Sequence, residues 1–138
     1  MAKKQKSKQP FYFSLRDPLF KGSFFVIFGD LDFFKSVVSK KFKGASVDDI
    51  TDSFVGMNVR VGDGICEENI IWFNDYKEWF FSSSKIESVV TIAHEALHAI
   101  IDNLQYRGLS LADQSEEAFT YYHSWLMTEI LKRLEKRK

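Results

Sequence analysis

From a cap at Ser84 to about Tyr106 the chain reads as one long, largely apolar helix, so the rest of the protein has to cover it. Ser88-Val89-Val90-Thr91-Ile92-Ala93 leads in, and Ala96, Leu97, Ala99, Ile100 and Ile101 follow. Set into this run is His94-Glu95-Ala96-Leu97-His98, which holds two of the three histidines in the chain. A spacing of four places both imidazoles on one helix face, one turn apart, where they can grip a single ion. Imidazole nitrogen suits zinc, which favours tetrahedral sites built from nitrogen, sulfur or carboxylate donors. Glu95 can lie beside the remaining coordination position and take a proton from water bound there. The bland reading is a solvated histidine pair that binds nothing. The apolar flanks weigh against it, because imidazoles in such a helix need polar partners.

A catalytic zinc commonly takes three protein ligands. Downstream of His98 the choices are Asp102, Asp113, Glu116, Glu117 and His123. Asp102 lies on the same helix, one turn past His98, and fits a supporting or surface role better than a ligand. Asp113 and Glu116 have the spacing of an N-cap and its reciprocal partner ahead of Ala118-Phe119. Glu117 is left in the first turn of the next helix with nothing local to bond, and is the expected third ligand. Tyr121, one turn further, is a candidate hydrogen-bond donor to a developing oxyanion, with plain packing as its alternative. His123 is not counted as a ligand.

With these residues the chain resembles the gluzincin metallopeptidases, which join HExxH to a glutamate on a following helix. Eighteen residues separate His98 from Glu117. That is similar to the HExxH-x18-E aminopeptidase branch, and Glu117-Ala118-Phe119 is similar to its Glu-Gly-Phe segment. The resemblance covers about residues 88–125. It implies His94, His98 and Glu117 as zinc ligands, Glu95 as general base, and a minimal zincin-like fold. Two departures limit it: the Gly-x-Met-Glu-Asn motif that holds a substrate amino terminus is absent, and Tyr121 stands where the thermolysin-like branch has an aspartate. The stretch HEALHAIIDNLQYRGLSLADQSEEAFTYY is also similar to small HExxH proteins of tailed phages. That likeness leaves open a virion component retaining the site.

At 138 residues, with 45% hydrophobic content and fourteen phenylalanines, the chain is expected to form one core. The expected organisation is a basic tail over residues 1–10 and a single metal-binding domain over 11–138. Formal net charge is zero, so no global electrostatic attraction to nucleic acid or membrane is expected. Lys3, Lys4, Lys6 and Lys8 at the start, and Lys132, Arg133, Lys136, Arg137 and Lys138 at the end, read as solvated tails, the alternative being a docking arm for an acidic partner or nucleic acid. No apolar run is long enough to span a bilayer, and the start does not read as a secretory signal. The single cysteine, Cys66, reads as a bystander in a turn, and the reducing cytoplasm, of the encoding cell or of a host, is the expected compartment.

Along the chain, 11–20 read as an extended lead-in and Ser23–Phe28 as a strand. Asp30–Phe42 reads as an amphipathic helix packed on the sheet, and Gly44 as its stop. Asp48, Asp49 and Asp52 lack the regular spacing of a calcium loop and read as solvated. Phe54–Val61 alternates with period two, and Gly62-Asp63-Gly64 turns the chain into a strand at Asn69–Phe73. The zincin resemblance implies that this strand runs beside the metal cleft with an exposed edge, the alternative being a plain core strand. Tyr76, Trp79, Phe80 and Phe81 read as core or cleft wall. Ser84 is the expected cap of the motif helix, and a last helix spans about Ser115–Lys136. The order is β, α, β, β, α, α: an α+β domain with the metal between its last two helices.

Two functions fit. One is a zinc-dependent peptidase acting on peptide or protein substrate; the other is a non-catalytic structural or binding protein, such as a particle component, in which the ion locks two helices. A third possibility, a metal-free domain, is removed by stoichiometric zinc. Changing Glu95 separates the first two.

Overall fold

Ser23-Phe-Phe-Val-Ile-Phe28 carries no charge and no small polar residue after its first position, and the fold is built around it as strand β2 (Ser23–Phe28). A computed structural model of the chain describes residues 9–18, 22–53, 56–62, 67–74, 85–110, 112 and 115–136. The other elements are β1 (Phe11–Arg16), α1 (Leu31–Lys41), β3 (Gly56–Gly62), β4 (Glu67–Phe73), α2 (Lys85–Tyr106) and α3 (Glu116–Glu135). The four strands form one mixed sheet in the order β1-β2-β4-β3. β2 pairs antiparallel with β1 and parallel with β4, and β4 pairs antiparallel with β3. The molecule is thus α+β. Among the described residues no helix is long and apolar enough to cross a membrane.

Both faces of the sheet are covered, which is why the central strands are apolar on both sides rather than alternating. On one face Phe25, Ile27, Ile70 and Trp72 pack with Phe34, Val37 and Val38 of α1. The Trp72 indole stacks on Phe34 at 4.5 Å between centroids, and its N–H donates to the Gly29 carbonyl at 2.8 Å. On the other face Phe24, Val26, Phe28, Ile71 and Phe73 meet Ile92, Ala96, Ala99 and Ile100 of α2 and Phe119, Tyr122, Leu126 and Ile130 of α3. The motif helix is therefore held on one side by β-sheet and flanked by the last helix.

One expectation changes and one open alternative is decided. The lead-in over 11–20 contains a true strand at Phe11–Arg16, where Phe13 and Leu15 are buried and Tyr12, Ser14 and Arg16 are exposed; that period-two pattern was there to be read. The order becomes β, β, α, β, β, α, α. The second point concerns β4, for which an exposed edge beside the cleft and a plain core strand both stood: it is paired on both sides, the core-strand reading, and the edges of the sheet are β1 and β3. α1 starts at the expected place, with the Asp30 side chain accepting from Phe33 N at 2.8 Å. α3 starts at Glu116 with Ser115 as N-cap, two residues later than an Asp113 cap would require. Asp113, Cys66, Ser84, the basic tail over 1–8, the 63–64 part of the turn and the aromatic segment 76–81 lie outside the described residues.

Candidate metal-binding and catalytic site

His94 and His98 meet as their spacing demands. Their Nε2 atoms are 3.1 Å apart and the rings are edge-on at 4.7 Å between centroids. Two nitrogens bound to one tetrahedral zinc at 2.0–2.1 Å each lie about 3.3 Å apart, so the observed separation fits a shared ion with little ring movement. Both rings are on the exposed side of α2, whereas Glu95, next to them in sequence, is turned inward and 9% exposed. Its Oε1 is 4.0 Å from His94 Nε2. Burial pushes the Glu95 carboxyl above its ordinary range, and the two nearby imidazoles oppose that in part.

What admits Glu95 is a glycine. At Gly56, the first residue of β3, an added Cβ would come within 2.9 Å of Glu95 Cγ and 3.4 Å of its Cδ and Oε1. The strand backbone and the carboxylate side chain are thus in close contact, and β3 brings the rim of the sheet to the motif. One turn past His98, Asp102 accepts from Asn58 Nδ2 of β3 at 2.7 Å, so α2 and β3 are joined at two points that bracket the second histidine. The supporting role expected of Asp102 has a named partner. Neither Gly56 nor Asn58 was singled out from the sequence. The usable signal was a glycine inside an alternating strand pattern, which often marks a close backbone approach.

Glu117 and Tyr121 stand elsewhere. On α3 the buried residues are Phe119, Tyr122, Leu126 and Ile130, while Glu117, Tyr121, Ser124 and Thr128 are all exposed. That spacing is one helical stripe, and it is the solvent face of α3. The flank of α3 that meets the motif is carried instead by His123, whose Nε2–H donates to the Ala93 carbonyl at 3.2 Å. Among the described residues no group of three His, Cys, Asp or Glu side chains gathers as a metal site. The structure brings together His94, Glu95 and His98; it does not join Glu117 to them.

The Glu116 reading also shifts. With Ser115 as N-cap, Glu116 is the first helical residue rather than the third, so it is not the reciprocal cap partner. Ser115 does not cap the helix through its side chain; its Oγ donates to the carbonyl of Ser110 and accepts from Ala112 N at 3.1 Å, closing the turn that precedes α3. No protein-family model, curated protein or solved structure matches this chain.

Proposed function

We propose that the chain is a zinc-dependent peptidase-like protein, acting on a peptide strand laid along the outer edge of β3. The observation that carries this reading is the convergence of His94 and His98 Nε2 atoms at 3.1 Å with the Glu95 carboxylate 4.0 Å away, beside the edge strand β3. His94 and His98 would hold the ion, each as the tautomer protonated at Nδ1 so that both Nε2 lone pairs face inward. Bound there, zinc would supply Lewis-acid polarisation and acidify a water. Glu95 is the general base: it is within one water's reach of the pair, and its backing of strand and helix keeps its carboxylate from swinging away. The β3 edge offers main-chain donors and acceptors to an extended substrate whatever its side chains.

Glu117 enters this reading as the third ligand only if it crosses from the solvent face of α3 when the ion binds. Calorimetric zinc titration of the wild type and of Glu117→Ala reports on that: a drop of about tenfold or more in affinity makes it a ligand, and an unchanged affinity leaves a two-histidine anchor completed by water. Tyr121 shares that face, and an oxyanion role for it depends on the same movement.

A second reading has its own support. The lack of a three-donor group among the described residues favours a non-catalytic scaffold whose histidine pair binds an ion shared with a partner protein, as in an assembled particle. Glu95→Gln separates the two. The peptidase reading requires that zinc-loaded wild type cleave an internally quenched peptide from a mixed-sequence pool, and that the variant bind zinc equally but cleave none. Zinc binding without cleavage by either protein leaves the scaffold.

A further inference from the structure

Behind the motif, five side chains form a hydrogen-bond chain that runs in one direction. The Tyr122 hydroxyl of α3 donates to Asn103 Oδ1 of α2 at 3.4 Å, and Asn103 Nδ2 donates to Asn69 Oδ1 of β4 at 3.2 Å. Asn69 Nδ2 donates to Asn58 Oδ1 of β3 at 3.4 Å, and Asn58 Nδ2 donates to the Asp102 carboxylate at 2.7 Å. Tyr122, Asn103 and Asn69 are buried. Amides placed in an apolar core are destabilising unless partnered, and here each passes its donor to the next acceptor. All donors point toward the one charged member, and the last bond, to that charge, is the shortest, as charge assistance dictates.

The chain ends where the motif needs a fixed wall. Asn58 lies two residues after Gly56, which rests on Glu95, and Asp102 lies one turn after His98. We propose that Asn58 and Asp102 are positioning residues: their bond sets the register of the β3 edge on the histidine-bearing face of α2, and so places a bound peptide strand relative to Glu95. This rests on the peptidase reading for its catalytic consequence, but not for its structural one. β3 is an edge strand, paired on one side only, so its hold on α2 is not secured by a further strand.

The test is a polarity swap. Asn58→Asp sets two carboxylates against each other; the double variant Asn58→Asp with Asp102→Asn restores one carboxylate that accepts from both Asn69 and the new amide. Hydrogen exchange of the Gly56–Gly62 amides is measured against those of β1 and β2. Asn58→Asp is expected to speed exchange in β3 by about tenfold or more while leaving β1 and β2 within about twofold, and the swap to restore it. Asp102→Asn alone, which keeps a neutral bond, should move the same way by less. On a quenched peptide cleaved by the zinc-loaded wild type, Asn58→Asp should raise KM about tenfold with kcat within about twofold, again rescued by the swap. Unchanged β3 exchange in Asn58→Asp, or a swap that fails to restore it, overturns the proposal. So does a loss confined to kcat. If the wild type cleaves no peptide, the peptidase reading fails and the exchange measurement alone decides the positioning role.

Discussion

Gly56→Ala isolates the contact between strand and carboxylate. The new Cβ would stand 2.9 Å from Glu95 Cγ, against the 3.5–4.0 Å at which two carbon atoms rest comfortably. One of them has to move by about 0.6 Å or more, and Glu95 is buried with the motif helix behind it. Overpacking of this kind costs about 1–3 kcal/mol, offset by about 0.4–1 kcal/mol because alanine restricts the unfolded chain. The net expectation is a destabilisation of about 1–2 kcal/mol, close to 4 °C per kcal/mol in Tm for a domain of this size. In a Glu95→Ala background the obstructing atoms are gone, so the same substitution should be neutral or slightly stabilising. Urea unfolding of the four proteins closes a double-mutant cycle with an expected coupling of about 1–3 kcal/mol. Equal effects of Gly56→Ala in both backgrounds would show that the strand does not rest on Glu95, and the case for a wall beside the general base would fall with it.

Other expectations follow from the same geometry. Because burial raises the Glu95 pKa above its ordinary 4.5, the native state binds that proton more tightly than the unfolded state does. Stability from this group is full below about 4.5 and is lost as pH rises through the elevated value; in metal-free protein, Glu95→Gln should flatten that segment of the pH–stability curve, and a wild-type curve that instead rises there contradicts the assignment. Tyr122→Phe removes the start of the amide chain and should lower unfolding free energy by about 1–3 kcal/mol, seen as a lower urea midpoint at unchanged m. Gly22→Ala should be more damaging, since an added Cβ would overlap the Tyr122 hydroxyl; introducing Tyr122→Phe beside it should recover part of the loss in Tm. Replacing both His94 and His98 by alanine should abolish zinc-dependent thermal stabilisation while leaving the metal-free Tm within a few degrees, because both rings are exposed.

How much of this could be read beforehand depended on whether a signal was local. The histidine pair follows from a four-residue spacing on a helix, and α1 from Asp30 and the periodic Leu31, Phe34, Val37 and Val38; such features need no knowledge of distant residues. β1 was legible too, as alternation at Phe13 and Leu15, but Pro18 and the crowd of aromatics obscured it. The edge was not legible. Asn69–Phe73 and Phe54–Val61 both read as strands, and nothing local says that β4 is inserted between β2 and β3. The exposed position of Glu117 was legible as well: Phe119, Tyr122, Leu126 and Ile130 mark the buried face of α3 by their spacing, and Glu117, Tyr121, Ser124 and Thr128 fall on the opposite stripe. The asparagine chain was the least visible of all, since Asn58, Asn69 and Asn103 become one system only after three elements have packed.

The sheet also acts as a partition. Everything chemical described above lies on the α2 and α3 side, while Trp72 and α1 occupy the opposite side with their own set of neighbours. Trp72 is screened from the histidines by the sheet, whereas Trp125 packs on Phe24 and Tyr122 on their side; labels or tethers attached to α1 can report on folding while leaving the other surface untouched. Selection could likewise reshape one side, trading ions, bases and rims, without renegotiating the other.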